Sequence, residues 1–480
     1  MDELTCLPEL HLFKKNGKNL LLDVQTCRVF RVDELAFQIL GASNLKKREE
    51  VLSALRNSYP AEDIEVAYTE LKESRLIAEK PFEFEDPTFE YSEYEIRNMD
   101  LILSQDCNMR CVYCFADQGA FRGKRGFMRP EVGRKTIDFL IEKSGKSKRV
   151  GVVFFGGEPL LNMVGLKALV LYGNEKAKAA DKEVRYSVST NGTLLNEELI
   201  EYFNRERINI QISIDGDADT QNVNRPLKNK RPSYPTVEGK SILFLGKTKQ
   251  DQTSARTTIT SNSVERAFDN ILHILAMGFY SVHTETAEGT TGRGFLSSED
   301  YRALENRIDL IADELMRKIS RNEFFGYSNI IKFLKHLNAN GKNFYSCAAG
   351  RGYVAVGANG DIFPCHRFVN STYRMGNVMA GTFDRRWEKE IHVNTNVFSR
   401  VPCNSCWARF LCGGDCIAVS EDYYKDVTTP NPMRCELIKH VIETAIMVYS
   451  SIAKSSKPEI ENLYHFYKRG RKEIPTERQI

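Results

Sequence analysis

At 480 residues and 42% hydrophobic, the chain is long enough for two or three domains with real cores. A net charge of +3 gives no electrostatic basis for nucleic-acid binding, the charged start MDELTCLPELHLFKK is not a signal peptide, and no run is long enough to span a bilayer. A cytoplasmic protein is expected, in which twelve cysteines point to metal ligands over disulfides. Ten of them fall into two clusters, leaving Cys6 and Cys27 as incidental thiols.

Residues 1–82 read as a separate small module. HLFKKNGKNLLLDVQTCRVFRVD alternates around a turn at Asn16 and Gly17, which gives two or three short strands. ELAFQILG, KREEVLSALRNSY and PAEDIEVAYTELKESRLI carry apolar residues at helical spacing, the last opened by Pro60. Strands followed by three short helices predict a winged-helix-like unit, too small and too poor in ligands to carry chemistry. Residues 83–97, rich in acids and aromatics, read as a linker.

From 98 to about 300 the chain alternates strand and helix. β-type runs occur at MDLILSQ, RVGVVFFGG, VRYSVSTNG, INIQISIDG, ARTTITS and YSVHTETA, with helical segments such as PEVGRKTIDFLIEKS between them. This order predicts a parallel sheet, buried on both faces, with its site at the carboxyl ends of the strands. Six strands are too few for a closed eight-stranded barrel.

Directly after the first strand, LSQDCNMRCVYCF places Cys107, Cys111 and Cys114 in a CxxxCxxC spacing. Three thiolates on one loop can grip an iron–sulfur cube and leave its fourth iron without a protein ligand. A zinc knuckle or three unrelated buried thiols are the other readings of the spacing. The second strand ends in Gly156, Gly157 and Glu158, where glycines admit a ligand close to the backbone and a carboxylate can accept from an ammonium group. A tight turn with an acid at a helix start gives the same letters. The third strand ends Ser189, Thr190, Asn191, the fourth Ser213, Ile214, Asp215; Arg225 follows the fourth and Arg256 opens the fifth.

A helical bridge (301–346) precedes the second cysteine cluster. In residues 347–450, Cys347 and Cys365 flank a Gly-rich stretch, CNSCWARFLCGGDC supplies Cys403, Cys406, Cys412 and Cys416, and Cys435 closes the set. Four of these could make one zinc site, but two closed zinc sites need eight ligands, not seven. A helical tail is expected over 451–480.

The CxxxCxxC loop, followed one strand later by GGE, resembles the signature of the radical SAM enzymes. The resemblance implies a partial (β/α)6 barrel whose open iron binds S-adenosylmethionine and cleaves it to a 5′-deoxyadenosyl radical. Tyr113 would then lie beside the adenine, and Gly156, Gly157 and Glu158 would bind the amino group. Ser189, Asn191, Ser213 and Asp215 would meet the ribose and the methionine carboxylate, with Arg225 or Arg256 pairing the latter. The second cluster resembles the SPASM domain. This implies two auxiliary clusters, held by Cys347, Cys365 and Cys416 and by Cys403, Cys406, Cys412 and Cys435, hence three 4Fe-4S clusters in all. Sulfatase maturases carry one more cysteine after the first; its lack implies an open iron on the first auxiliary cluster. His366 stands where they have an aspartate base, as a packing residue or a base. Residues 1–82 look like the recognition domain of peptide maturases, where a leader peptide adds a strand to the sheet edge. The whole is similar to the thioether-forming maturases of ranthipeptides and six-cysteine peptides (SCIFF-like). It implies a precursor-peptide partner and an electron donor such as flavodoxin or ferredoxin, with no nucleic acid or membrane. The alternatives are carbon–carbon crosslinking, epimerisation or formylglycine maturation on the same scaffold, or a non-enzymatic metal-stabilised peptide adaptor.

Overall fold

The structure, a computed structural model, describes residues 4–84, 87–289 and 293–452. At the amino end β1 (Leu4–Thr5) pairs with β5 (Lys46–Lys47), while β2 (Leu10–Lys15), β3 (Lys18–Asp23) and β4 (Arg28–Val32) form an antiparallel sheet. Asn16 and Gly17, with φ of 48° and 68°, make the left-handed two-residue turn that a tight hairpin requires. Helices α1 (Glu34–Ala42), α2 (Arg48–Leu55) and α3 (Ala61–Glu73) complete the unit, with Pro60 capping the last. β3 carries a run of leucines because both its faces are covered. Leu21 packs with Ile39, Leu52 and Ile64 of the three helices, whereas Leu20 and Leu22 join the main core under the long carboxyl-terminal helix, Pro432–Ile452.

The six expected strands are all present: β6 (Asn98–Ser104), β7 (Arg149–Gly156), β8 (Glu183–Thr190), β9 (Asn209–Ser213), β10 (Ser254–Ile259) and β11 (Ser281–Thr286). They lie parallel in sequence order. Helices α4 (Pro130–Lys143), α5 (Met163–Ala179), α6 (Glu197–Glu206), α7 (Ala218–Asn224), α8 (Tyr234–Lys247) and α9 (Ala267–Ala276) cross between them, giving a partial (β/α)6 barrel. Burial on both faces holds for β6 alone. β7 to β11 alternate buried and half-buried residues, because one face packs on helices and the other lines an open cavity.

The bridge consists of α10 (Ser298–Ser320) and α11 (Ser328–Ala339), both packed on the carboxyl-terminal helix. Four short strands follow, β12 (Tyr353–Val356), β13 (Asp361–Phe363), β14 (Gly376–Asn377) and β15 (Thr382–Phe383), and they extend the barrel sheet. β12 lies parallel to β6, with Tyr353 opposite Asn98 and Val356 opposite Leu101, an attachment that a cysteine-rich loop region does not announce in sequence. Helices α12 (Arg386–Asn394), α13 (Arg409–Cys412), α14 (Ile417–Tyr424) and α15 (Pro432–Ile452) complete the chain; of the expected tail, residues 453–480 lie outside the described residues.

Among its described residues the stretch read as a linker holds no helix or strand, yet it is strapped down. Tyr91 Oη donates to Glu388 at 2.6 Å, Tyr94 Oη meets His392 Nδ1 at 2.7 Å, and the Phe89 ring packs on Phe344 and Tyr345. The amino-terminal unit is docked as well. Glu9 pairs with buried Arg409, His11 stacks on Trp407 with centroids 3.6 Å apart, and Lys15 reaches Asp309 at 2.9 Å. Among the described residues no helix is long and apolar enough to cross a membrane.

Candidate active site

A cavity of about 740 Å³ opens at the carboxyl ends of the barrel strands and runs to the cysteine-rich region. The CxxxCxxC loop leaves β6 and is pinned at several points. Arg110 N donates to Pro226 O at 2.8 Å, Val112 N to Asn224 O at 2.9 Å, and Arg125 holds Asp106 at 2.6 Å. Burial pushes the Cys107 thiol up to about 11 and Cys111 up to about 12; Cys107 also feels the charges of Glu158 and Cys114, and Cys111 those of Cys114 and Cys107. All three thiols line the cavity.

The seven remaining cluster cysteines sort themselves into two sets. Cys365 feels the charges of Cys416 and Cys347, whereas Cys435 and Cys412 feel those of Cys403 and Cys406. Cys347 is exposed to the cavity, Cys365 lies two residues beyond the end of β13, and Cys416 caps α14. All twelve cysteines are free thiols. Burial holds most cluster thiols above the usual range, so their thiolates need a cation beside them, and iron supplies one. Among the described residues no three His, Cys, Asp or Glu side chains converge on one point as ligands of a single ion do. A four-iron cube takes each thiolate on a different iron, which suits the looser grouping of these three sets.

At the end of β7, Gly156 adopts φ of 145°, and a Cβ there would run into Ser104 O, so only glycine fits. Gly156 and Gly157 line the cavity, but Glu158 turns inward and is fully buried. It accepts from Asn191 N at 2.7 Å, Thr190 Oγ1 at 2.8 Å and Leu160 N at 3.0 Å. Burial outweighs those bonds and raises its carboxyl to about 7. The carboxylate expected to accept from an ammonium takes three hydrogen bonds within the protein, while the glycine backbone faces the cavity.

Asp215 is turned inward in the same way. Its carboxylate accepts from Tyr113 Oη at 2.8 Å and Thr258 N at 3.1 Å and lies 3.7 Å from Arg225, away from the cavity wall. Arg225 also donates to Tyr113 Oη at 2.6 Å, so Tyr113 is held from both sides. Ser189, Asn191 and Ser213 line the cavity as expected; Asn191 Nδ2 donates to Asn108 of the cysteine loop at 2.8 Å. Both arginines reach the cavity, but Arg225 is the one whose charge acts on Cys107 and Cys111, while Arg256 lies 3.6 Å from Glu285.

His366 lines the cavity with Nδ1 2.6 Å from the carboxylate of Asp100, a buried acid that also takes a hydrogen bond from Tyr353, and its ring stacks on Phe155 at 4.5 Å. Asp100, Glu285, Lys332, Arg367 and Arg434 went unread in sequence. Only Asp100 left a signal, as a charge inside the apolar run MDLILS.

Residues 101–239 match the radical SAM superfamily, and residues 347–407 match SPASM, an iron–sulfur cluster-binding domain. The chain is 22% identical over 368 residues to a cysteine-type anaerobic sulfatase-maturating enzyme of Clostridium novyi, covering 73% of this chain and 96% of that one. It is 24% identical over 373 residues to the radical SAM cyclopropyl synthase TigE of Paramaledivibacter caminithermalis, covering 73% and 74% of the two chains. Its fold resembles that of native anSMEcpe with bound AdoMet, with a TM-score of 0.64 at 19% identity over 75% of this chain and all of that one. Streptococcus suis SuiB bound to precursor peptide SuiA gives 0.50 at 14% identity over 90% and 99%. The chain carries a radical SAM domain followed by a SPASM domain, whose cofactors are S-adenosylmethionine and 4Fe-4S clusters.

Proposed function

We propose that the protein is a cytoplasmic radical SAM maturase that installs thioether crosslinks, cysteine sulfur to carbon, in a ribosomally made precursor peptide. The observation that carries the reading is the unequal thiol count beside the cavity. Cys403, Cys406, Cys412 and Cys435 number four, enough for a closed cluster, whereas Cys347, Cys365 and Cys416 number three and Cys347 faces the open space. A substrate thiol is a natural fourth ligand, since metal binding lowers its pKa and fixes its sulfur. When bound, S-adenosylmethionine and the clusters supply hydrogen abstraction from carbon and take up the spare electron.

The chain's own residues do the rest. Cys107, Cys111 and Cys114 hold the reductive cluster on a loop fixed by Asp106, Arg110 and Val112. Tyr113, clamped by Asp215 and Arg225, presents its ring to the adenine, and the Gly156–Gly157 backbone lets the amino group approach. The leader peptide is received at β4, which pairs only with β3 among the described strands. Its free edge adjoins a groove of about 540 Å³ lined by Val29, Phe30, Val32, Ala67, Leu71 and Tyr449. SuiB, seen with its precursor peptide, supports a peptide substrate.

A second reading, oxidation of a substrate side chain as by the sulfatase-maturating relatives, draws on the Asp100–His366 pair beside the cavity as a base, although His366 departs from the aspartate of those enzymes. Mass spectrometry decides between them. A cysteine-containing precursor peptide incubated anaerobically with holoenzyme, S-adenosylmethionine and a reductant is expected to lose two hydrogens per link, with the linked cysteines protected from alkylation. Cys107→Ala should abolish S-adenosylmethionine cleavage, and Cys416→Ala should abolish the crosslinked product. A product with every thiol still free would refute the thioether assignment.

A further inference from the structure

Strands β10 and β11 with the segment after β11, helices α11 and α15, and the loop before α14 bring six charged side chains together on the cavity wall. Three are cations, Arg256, Lys332 and Arg434, and three are carboxylates, Glu285, Glu288 and Asp415. Their charges balance, but their hydrogen bonds do not. Arg434 donates to Asp415 at 2.8 Å and to Glu288 at 2.9 Å, and Glu288 also accepts from Tyr301 at 2.7 Å. Glu285 accepts from His283 at 3.1 Å, and this bond with the charges of Arg256 and Arg434 overcomes burial to hold it well below the usual carboxylate range.

The donors of two cations are left over. Arg256 approaches Glu285 only at 3.6 Å, beyond hydrogen-bond reach, and its guanidinium makes no hydrogen bond among the described residues. Lys332 has no carboxylate within ion-pair distance among the described residues; its ammonium lies 4.8 Å from the Phe333 ring centroid. Protein surrounds Lys332, yet the side chain keeps surface open to the cavity, and burial lowers its pKa. Roughly eight N–H donors of these two cavity-lining cations are thus free to meet an acceptor that enters the cavity. Two cations side by side without hydrogen-bond partners among the described residues suit an incoming anion.

We propose that Arg256 and Lys332 form a carboxylate-binding subsite that seats an acidic group of the peptide substrate, a Glu or Asp side chain or a free carboxyl terminus. The inference rests on the maturase reading and deepens it: it selects peptides with an acid near the reacting residue. A carboxylate has two oxygens and about four acceptor positions, enough to bridge a guanidinium and an ammonium. On this reading the carboxylate of S-adenosylmethionine pairs with Arg225, which sits beside Tyr113 and acts on Cys111 of the cysteine loop.

The test uses full-length, anaerobically reconstituted holoenzyme loaded with S-adenosylmethionine. The probes are fluorescein-labelled octapeptide pools, random apart from a fixed central Glu or Gln, each made with an amidated and with a free carboxyl terminus. Fluorescence anisotropy is expected to show about tenfold tighter binding for a carboxylate pool than for the amidated Gln pool. Whether the amidated Glu pool or the free-acid Gln pool gains identifies the source of the carboxylate. Lys332→Met and Arg256→Gln should each remove most of the preference, and Lys332→Arg should keep it. Equal binding of all pools, or a preference that survives both Lys332→Met and Arg256→Gln, overturns the subsite. Formation of 5′-deoxyadenosine by the reduced wild-type holoenzyme is scored separately, so failure of the radical reading is not mistaken for failure of this one.

Discussion

Glu158 shows how a motif residue can matter through the strand ends that it joins. Two of its three hydrogen bonds, from Thr190 and Asn191, tie the end of β7 to the end of β8, so it sets the spacing of the two strand ends that frame the cavity. Burial dominates its titration, and the folded protein therefore holds its proton more tightly than the unfolded chain does, at about 7 against 4.5. The sign follows: stability is greatest below about 4.5 and falls as pH rises through about 7, by about 3 kcal/mol in all. The melting temperature of wild type should thus drop relative to that of Glu158→Gln between pH 5 and pH 8. A difference that stays flat across that range would show that the carboxyl is not the buried acid described. At this scale the sequence carried the cysteines well, because a cluster demands a fixed spacing along one loop. It carried side-chain direction badly. Glu158 and Asp215 sit at the expected strand ends, but partners distant in sequence, Thr190, Asn191, Tyr113 and Arg225, decide that they face inward. Lys332 had no signal, since a lysine within a helix such as SNIIKFLKHLNA reads as solvated.

Elements were legible where periodicity was strong. All six barrel strands and the three helices of the amino-terminal unit stand where apolar patterns place them, and the turn at Asn16 and Gly17 follows from their tolerance of positive φ. Read as buried on both faces, the strands proved to alternate, because a cavity replaces half of the usual inner core. The loops of the cysteine-rich region have no such period and are organised by polar anchors. Arg400, fully buried, donates to Thr428 O at 2.7 Å, Asp415 O at 2.7 Å and Ser420 Oγ at 2.9 Å, and so gathers the segments that carry Cys403, Cys416 and Cys435. Arg400→Met fills similar space but leaves two carbonyls without donors, each costing about 1–3 kcal/mol. Denaturant unfolding of the holoenzyme should register a loss of a few kcal/mol; an unchanged midpoint would mean that the loops hold without it.

For the molecule as a whole, the amino-terminal unit that looks detachable in sequence shares a core with the rest. β2, β3 and β4 cover α15, and Leu20 and Leu22 pack into the same cluster as the barrel. Deleting residues 1–82 should therefore bare an apolar face of α15 and give an aggregating protein, where a free appendage would leave a monodisperse one; light scattering after size exclusion separates the two. The linker carries no element among its described residues, but its tyrosines are fastened to α12. The parallel pairing of β12 with β6 reaches further still. An open barrel has two raw margins, prone to recruit strands from other chains. Here β12 closes the β6 margin, while Ser328 and Asn329, at the start of α11, bond to Val282 and Thr284 on the β11 margin. On the ribosome the first barrel strand therefore waits roughly 250 residues for its neighbour, and the newborn barrel passes most of its synthesis with that flank bare, the stage at which chaperones matter most.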